Sequence, residues 1–268
     1  MPYLEVPVTF HRMPTATEEA RARSAAEGGA GKRSYVREIF SEIAPRYDLI
    51  NHLLSLNVDR VWRRRAVAAL RIGAAPRGTY LDLCAGTFDI SVAVAAWTTF
   101  RGSVVAADFA EPMLRAGRAK TIGRPIDPVV GDALELPFAS GSFAGAIVAF
   151  GIRNVADLDS GLREVYRVLA PGARFVILEF SIPSNPVVRA GYDIYFRSVL
   201  PLIGRVVSRH PTAYSYLPRS VSNFPVEEEL SRRLSAAGFV NVNWESLGLG
   251  VVAIHSAERP RPAHVAAA

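Results

Sequence analysis

One short stretch of the sequence, residues 80–90, combines two carboxylates with a single glycine. An apolar run ends at Gly86, and Asp82 and Asp89 lie on either side of this glycine. Apolar residues at helical spacing follow Asp89, so the stretch predicts a strand, a tight turn and a helix. This is the opening unit of a doubly wound α/β domain, whose ligands bind over the carboxyl ends of the strands.

The charges around this turn indicate which ligand it suits. A turn that binds a pyrophosphate offers several glycines and a helix N-terminus without nearby negative charge. Here one glycine is flanked by two carboxylates, which would repel a phosphate. S-Adenosylmethionine carries an ammonium and a sulfonium, so the turn favours this methyl donor over a nicotinamide dinucleotide. A buried strand and turn without a ligand is the alternative.

Two further carboxylates follow predicted strands. The strand over residues 103–108 ends in Asp108, about 20 residues after the turn, where nucleoside-binding domains accept hydrogen bonds from ribose hydroxyls. A helix cap is the alternative role for Asp108. A third strand over residues 128–131 precedes Asp132 and Ala133, which offer a carboxylate and a backbone N–H to an adenine edge. In register with Asp108, this pair predicts an adenosine site.

The remaining elements complete an α/β fold. A fourth strand over residues 142–150 leads into a loop that faces the predicted site, and a helix, a fifth strand, another helix and a closing hairpin follow. We predict a doubly wound, mostly parallel seven-stranded sheet with helices on both faces and a closing antiparallel strand. Residues 183–225 form a long insert rich in aromatic residues and arginine, predicted to be partly helical. It is either a cover for an apolar substrate or an additional helical layer.

The chain is predicted to hold a single domain over residues 31–258. Its first part, residues 31–75, is a helical cap that includes an irregular stretch around Tyr47, where a lid over a ligand would be built. The basic cluster over residues 60–65 is either a solvated face or a surface that meets anionic lipid headgroups. Residues 1–30 and 259–268 are predicted to be a disordered arm and a disordered tail from their composition.

Composition limits the class of protein. The 268 residues carry a formal net charge of +6 and one cysteine, Cys84, so no disulfide framework is possible and a reducing, cytoplasmic compartment is expected. No apolar run is long enough for a transmembrane helix, and the N-terminus has no secretory signal. Since no nucleic-acid-binding signature accompanies the positive charge, no nucleic-acid partner is expected. No metal site is expected either.

Taken together, these motifs resemble the ubiquinone/menaquinone C-methyltransferase family of class I S-adenosylmethionine-dependent methyltransferases. The resemblance extends over residues 34–257, and its most specific pieces are Tyr-Asp-x-x-Asn at 47–51 and Phe-Gly-Ile-Arg-Asn at 150–154. The other matching pieces lie at residues 81–87, 108–114, 131–138, 166–172, 178–181 and 214–217.

The resemblance implies methyl transfer from S-adenosylmethionine to a ring carbon of a polyprenylated hydroquinone. It implies cofactor contacts by Asp82, Gly86, Thr87, Asp108, Phe109, Met113, Asp132, Ala133 and Phe150, and catalytic roles for Arg153, Asn154 and Tyr47. A guanidinium stays protonated, so Arg153 is expected to stabilise a phenolate or to order a water rather than to act as a base. Asn154 would assist it.

Several alternatives remain open for the substrate and the partners. Details of the insert favour demethylmenaquinol, and the benzoquinol of ubiquinone synthesis is the alternative. A methyltransferase for another phenolic or lipid acceptor, and a non-catalytic relative that acts as a scaffold, are two further hypotheses. Peripheral contact with an anionic membrane, at its inner face, and a homodimer are also expected from the resemblance.

Two positions depart from the family pattern. Phe88 stands where the family has glycine or sometimes alanine, and its ring either points into the sheet or narrows the methionine end of the site. Ala149 stands where some members have serine, which removes one hydroxyl contact.

Overall fold

The computed structural model of the protein describes residues 15–28, 31–48, 55, 57–195 and 213–262. Seven strands form one sheet in the order β3-β2-β1-β4-β5-β7-β6. The strands are β1 Thr79–Leu83, β2 Ser103–Asp108, β3 Ile126–Val130, β4 Phe143–Ala149, β5 Leu169–Phe180, β6 Val240–Leu247 and β7 Val252–Glu258. The predicted doubly wound, seven-stranded sheet is therefore confirmed.

Strand direction brings the predicted site residues to one edge of the sheet. Strands β1 to β5 are mutually parallel, and β7 joins β5 in antiparallel register, with β6 pairing antiparallel to β7. The strand order reverses between β1 and β4, where doubly wound sheets form their ligand crevice. The closing hairpin was predicted correctly.

Helices pack on both faces of the sheet. They are α1 Ala16–Ala26, α2 Lys32–Ile43, α3 Asp59–Ala69, α4 Asp89–Ala95, α5 Glu111–Gly117, α6 Leu158–Val168, α7 Pro186–Ile194, α8 Ala213–Ser222 and α9 Glu227–Ala236. Helices α3, α4 and α5 cover one face, where buried Tyr80 and Ile147 belong to the core. Helices α6 and α9 cover the other face over Phe143 and Phe175.

The prediction of a disordered arm over residues 1–30 is wrong for residues 15–28. Helix α1 begins with a capping box between Thr15 and Glu18, which satisfies its first backbone N–H groups. Its alanines Ala22, Ala25 and Ala26 are buried in a cluster with aromatic residues of α2 and α8. Alanine is the strongest helix former and lets two backbones approach closely, so a low-complexity composition here encodes a docked helix. Residues 1–14 lie outside the described residues.

The predicted disordered tail is also wrong at its beginning. The guanidinium of Arg259 donates to the backbone carbonyls of Tyr166, Arg167 and Leu169, and it lies 4.9 Å from the Tyr166 ring centroid. Residues 259–262 are thereby held against the start of β5. Residues 263–268 lie outside the described residues.

The insert over residues 183–225 is helical where the structure describes it. Helix α7 begins after Asn185, whose side chain accepts hydrogen bonds from the backbone N–H groups of Val187 and Val188. Helix α8 carries Tyr216, which is buried against the N-terminal helices. Residues 196–212 lie outside the described residues.

Among the described helices, none is long and apolar enough to cross a membrane. The described residues bring together no group of three or more histidine, cysteine or acidic side chains that could hold a metal ion.

Candidate active site

The carboxyl ends of the strands line a cleft that contains Asp108 and Asp132. Asp108 accepts hydrogen bonds from the backbone N–H groups of Gly86, at 2.9 Å, and Ala110, at 2.8 Å. Burial raises the pKa of the Asp108 carboxyl, and the hydrogen bonds from Ala110, Gly86 and Phe109 oppose this effect. These donors fix the carboxylate between the glycine turn and the end of β2.

Asp132 lies on the opposite wall of the cleft. One carboxylate oxygen accepts from the backbone N–H of Leu134 at 3.0 Å, and the other pairs with Arg33 of α2 at 2.5 Å. The Arg33 side chain is 59% exposed, so this ion pair contributes little stability and can give way to a ligand. Ala133 is buried beside Asp132 and lines the same cleft.

Asp82 does not line this cleft, although it was predicted to contact the cofactor. Its carboxylate is 1% exposed and accepts a hydrogen bond from Ser91 Oγ at 2.5 Å. Burial raises the pKa of Asp82 to about 7, against opposing effects of Ser91 and Arg63. The side chain lies beneath the turn and ties β1 to α4, so its role in the described structure is to shape the turn.

The ring of Phe88 points away from the cleft. Phe88 is fully buried in the core under α4 and α5, and its backbone has a left-handed φ of 70°. A Cβ at Gly117 would lie 2.7 Å from Phe88 Cδ2, so a glycine on α5 makes room for the ring. Of the two alternatives for Phe88, the structure therefore supports the one in which the ring packs into the core.

Tyr47 and Met113 lie over the glycine turn. A Cβ at Gly86 would lie 3.3 Å from Met113 Cε and 3.8 Å from Tyr47 Cε1. Because Gly86 also has a φ of 55°, both its conformation and its neighbours favour glycine. Phe109 packs against the same small cluster. The structure thus brings four predicted residues, Tyr47, Gly86, Phe109 and Met113, together.

Thr87 holds the stretch around Tyr47 through a polar chain. Its hydroxyl donates to Asp48 Oδ1 at 2.5 Å. The Lys120 ammonium lies 2.6 Å from Asp48 Oδ2 and 2.6 Å from Asp89 Oδ1, so it bridges this stretch and the first turn of α4. No pattern in the sequence pointed to Lys120, because this contact depends on how the short helix Arg118–Thr121 after α5 folds back over the turn.

The carboxylates around the turn are partly neutralised. Arg63 of α3 pairs with Asp89 at 2.8 Å and with Asp59 at 3.2 Å. Lys120 pairs with Asp89 and with Asp48 in the same network, and Arg60 and Arg64 line the pocket that contains Asp59 and Asp89. The negative charge around the turn is therefore smaller than the sequence implied.

Arg153 is buried at the carboxyl end of β4, in a short helix over Ile152–Asn154. Its Nη1 donates to the Phe150 carbonyl at 2.7 Å and to Glu179 Oε1 at 2.5 Å. Its guanidinium also lies 5.3 Å from the Phe180 ring centroid. Glu179 was missed as a site residue, although an acid at the carboxyl end of β5 was a signal that could have found it.

The N-terminal helix and the insert both contact the loop that carries Arg153. Asn154 Oδ1 accepts a hydrogen bond from the Tyr216 hydroxyl at 3.1 Å. Lys32 of α2 donates to the Arg153 carbonyl at 2.8 Å, and burial, followed by the charge of Arg153, lowers the pKa of Lys32. These contacts satisfy polar groups on the loop that would otherwise be buried without partners.

Three aromatic side chains form a wall beside Arg153, here called the aromatic wall: Trp62, Phe150 and Phe180. The ring centroids of Phe150 and Phe180 are 4.7 Å apart, and those of Trp62 and Phe150 are 6.4 Å apart. Phe150 was predicted to contact the cofactor. The structure packs it with these rings and with Arg63, whose guanidinium lies 5.9 Å from its centroid, and its contact with the cofactor stays a prediction.

The fold is that of solved methyltransferases. A methyltransferase from Thermotoga maritima, described as S-adenosylmethionine-dependent and possibly acting on histamine, has a TM-score of 0.58 at 18% identity, covering 83% of this chain and 98% of that one. A methyltransferase in complex with the Trm112 activator of Haloferax volcanii has a TM-score of 0.60 at 17% identity, with coverages of 83% and 98%. The architecture is that of a class I S-adenosylmethionine-dependent methyltransferase.

The sequence matches the model of the ubiE/COQ5 methyltransferase family over residues 29–259. The chain belongs to this family, which confirms the resemblance, and it is an S-adenosylmethionine-dependent methyltransferase.

Curated relatives cover most of the chain. The demethylmenaquinone methyltransferase of Thermus thermophilus is 47% identical over 224 residues, covering 83% of this chain and 100% of that protein. A demethylmenaquinone methyltransferase from a Mycobacterium species is 44% identical, with coverages of 84% and 94%. The ubiquinone/menaquinone biosynthesis C-methyltransferase UbiE of Geotalea daltonii is 41% identical, with coverages of 85% and 97%.

Proposed function

We propose that the protein methylates a ring carbon of a polyprenylated hydroquinone, with demethylmenaquinol as the substrate. The observation that carries this proposal is the 47% identity to a demethylmenaquinone methyltransferase over the whole length of that relative. The benzoquinol of ubiquinone synthesis is the second candidate, because another relative is named for both quinones.

The groups around the cleft suit the cofactor by their chemistry. A Cβ at Gly86 would approach Met113 and Tyr47, so the glycine lets the backbone come close to a ligand, and Asp108 holds a carboxylate beside it. We expect Asp108 to bind the ribose hydroxyls, Asp132 and Ala133 the adenine, and Gly86 and Thr87 the methionine end. When bound, the cofactor supplies a methyl group on a positively charged sulfur.

The substrate ring is expected to lie between the cofactor and the aromatic wall. Stacking on Phe150 or Trp62 would hold a quinol ring, and the Arg153 guanidinium would stabilise the negative charge that develops on its oxygen. A phenol hydroxyl has a pKa near 10, so such stabilisation is needed at neutral pH. Asn154, fixed by Tyr216, would assist Arg153. Tyr47 would close the site on the side of the glycine turn.

The insert over residues 183–225 is proposed to cover the substrate. Burial raises the pKa of Tyr192 on α7, and the charges of Arg153 and Glu179 act on it in opposite directions. This tyrosine is therefore close enough to both groups to sense their charges. A cover at this position would shield the reacting quinol from water.

The exposed face of α3 is proposed to contact an anionic membrane, from the cytoplasmic side. Arg60 and Arg64 are exposed on this helix, and the Val61 side chain between them is 62% exposed. Positive and apolar side chains on one helix face are typical of peripheral membrane attachment. A substrate with a polyprenyl tail would be available at such a surface.

An exposed leucine extends this surface. Leu249 is 79% exposed in the turn between β6 and β7. The adjacent Gly248 packs on Trp62 of α3, since a Cβ there would lie 3.1 Å from Trp62 Cζ2. The turn and the helix thus form one continuous surface that ends at the aromatic wall.

Formation of a homodimer stays a prediction, which sedimentation analysis would test.

A competition assay tests the choice of quinol. The purified protein, S-adenosylmethionine and equal amounts of a short-chain demethylmenaquinol and the matching benzoquinol precursor are incubated anaerobically, and both products are quantified by mass. We expect the naphthoquinol to be methylated at a higher kcat/KM. Preference for the benzoquinol would change the substrate and keep the reaction, whereas methylation of neither quinol would contradict the proposed function.

A further inference from the structure

The chemistry requires a proton acceptor that Arg153 cannot supply. A quinol carbon becomes nucleophilic when a ring hydroxyl loses its proton, and a guanidinium does not deprotonate in a protein. Arg153 can therefore stabilise the resulting phenolate but cannot take the proton. Among the described residues, the carboxylate that pairs with the Arg153 guanidinium is Glu179, and a carboxylate can take a proton.

We propose that Glu179 accepts the proton of the quinol hydroxyl, directly or through one water beside Arg153. This inference rests on the proposed function. It assigns a role to an acid at the carboxyl end of β5 that is 2% exposed and paired with Arg153. The transfer breaks the quinol O–H bond, forms an O–H bond on Glu179, and leaves the electron pair on the quinol oxygen beside the guanidinium.

The two oxygens of Glu179 have different surroundings. Oε1 accepts from Arg153 Nη1 at 2.5 Å and from the backbone N–H of Phe180 at 2.9 Å. Among the described residues, Oε2 has only a long contact, 3.5 Å, with the backbone N–H of Arg153. Oε1 is therefore held in place by two donors, while Oε2 keeps lone pairs for a proton. Burial raises the pKa of Glu179, and Arg153 opposes this effect. The Glu179 carboxylate is therefore more basic than a carboxylate in a solvent-exposed ion pair.

A small cavity behind Glu179 offers the proton a way onward. It has a volume of about 20 Å³, room for one water, and is lined by Glu179, Ser181, Glu227 and His255 among others. His255 lies within hydrogen-bond distance of the Glu227 carbonyl at 3.1 Å, which requires the ring proton on Nε2. Its buried Nδ1 then carries a lone pair, and among the described residues it has no hydrogen-bond partner.

The charged and titratable groups that act on Glu179 come from several elements. Arg153 approaches it from the loop after β4 and also acts on Tyr192 of α7 and Tyr216 of α8, while the Glu179 charge acts on both tyrosines and on Cys84 after β1. Glu227 of α9 and His255 of β7 share its cavity. Only Arg153 contributes a full positive charge in this set, so removal of the Glu179 charge is expected to leave Arg153 free to bind the phenolate.

The experiment compares Glu179→Gln with the wild-type protein. Glutamine keeps the shape and an oxygen for Arg153 but cannot take the proton. Expected results are a kcat at least about 100-fold lower, as for loss of a general base, with the KM for the quinol and the Kd for S-adenosylmethionine changed by less than about threefold. Residual activity should rise with pH toward the ionisation of the quinol itself, near 10, whereas the wild-type rate should level off at lower pH.

Two further variants separate a chemical role from a structural one. Glu179→Asp retains a carboxylate and should recover part of kcat together with the wild-type pH profile. Glu258→Gln removes another strand carboxylate that pairs with an arginine, Arg174, at 2.7 Å, and it should leave the activity unchanged. A pH profile of Glu179→Gln with the wild-type shape, or a loss of cofactor affinity in step with kcat, would overturn the inference.

A measurement without turnover completes the test. Binding of a short-chain demethylmenaquinol to the complex with S-adenosylhomocysteine should produce the infrared band of a protonated carboxyl group in the wild type and not in Glu179→Gln. Absence of the band in the wild type would overturn the inference. If the wild type methylates quinol while Glu179→Gln is equally active, the proposed function stands and the role of Glu179 is wrong. Absence of wild-type turnover would instead count against the proposed function.

Discussion

At the scale of single residues, the site is built from charged groups whose partners are already in place. Arg153 and Glu179 form a buried ion pair that is supplemented by backbone hydrogen bonds to the Phe150 carbonyl and from the Phe180 N–H. Removing one partner of such a pair typically costs about 3–5 kcal/mol, because the other charge stays buried. The pair is thus sensitive to substitution in both activity and stability.

We predict that Arg153→Ala lowers turnover far more than cofactor affinity. Arg153 contacts Glu179 and the aromatic wall, whereas the adenosine cleft is lined by Asp108 and Asp132. We expect kcat to fall at least about 100-fold, as when an electrostatic donor is removed, while the calorimetric Kd for S-adenosylmethionine changes little. Arg174→Ala, which removes an arginine from another strand pair, is the control. Equal losses of kcat and cofactor affinity would contradict this role.

Asp82 predicts a pH dependence of stability. Its pKa in the folded protein is raised to about 7, above the unfolded value, so the folded state binds the proton more tightly. The stabilisation that the protonated Asp82 carboxyl gives the folded state is present at low pH and is lost as pH rises toward 7. Asp82→Asn should therefore become progressively more stable relative to the wild type between about pH 4 and 7, as measured by urea unfolding.

A difference in the free energy of unfolding between Asp82→Asn and the wild type that stays constant across this range would contradict the prediction.

The sequence predicted the residues that depend on strand ends and missed those that depend on side-chain direction. Asp108 and Asp132 were predictable because parallel strands bring their carboxyl ends to one edge. Lys120 was not predictable, because its contact with Asp48 joins distant parts of the chain, whereas Glu179 was overlooked although it lies at such a strand end. Asp82 was predicted at the correct strand end, but its side chain turns toward Ser91.

At the scale of elements, the N-terminal helices hold the loop over residues 150–154, which carries Arg153, in place. Helix α1 packs against α2 and α8, α2 donates through Lys32 to the Arg153 carbonyl, and α8 donates through Tyr216 to Asn154. The sequence predicted α2 and most of the sheet because their apolar residues have clear periodicity. Helix α1 was missed since its buried face consists of alanines, which give no such pattern.

Docking of α1 is tested by a small-to-large substitution. Ala22 is fully buried, so Ala22→Leu should overpack the interface and lower the free energy of unfolding by about 1–3 kcal/mol. Ala20 lies on the exposed side of the same helix, and Ala20→Leu should have little effect. Urea unfolding of both variants measures the difference. Equal stability of the two would indicate that α1 is not docked as described.

At the scale of the whole molecule, the two faces of the sheet differ in what they present. Helix α3 and the turn with Leu249 present exposed arginines and apolar side chains beside the aromatic wall. Helices α6 and α9 on the other face carry exposed arginines that pair with acids, such as Arg232 with Glu229 at 2.5 Å. Of these two arrangements, the first combines positive and apolar side chains, as protein surfaces that bind membranes do.

The proposed membrane contact through α3 predicts a selective loss of vesicle binding. Arg60→Glu/Arg64→Glu should bind vesicles that contain phosphatidylglycerol at least about tenfold more weakly, since each basic residue near an anionic surface contributes about 1 kcal/mol. Arg163→Glu/Arg232→Glu, on α6 and α9, is the control with the same change in net charge. Co-sedimentation measures both. An equal loss in the two variants would mean that total charge, and not the α3 face, governs binding.

A labelling experiment follows the transferred methyl group itself. The protein is incubated anaerobically with S-adenosylmethionine carrying a deuterated methyl group and a short-chain demethylmenaquinol, and the product is fragmented in a mass spectrometer. We predict that the labelled methyl is recovered on a ring carbon, with one methyl per product. Label on a ring oxygen, or no labelled quinol despite calorimetric binding of the cofactor, would contradict C-methylation of the quinol by this protein.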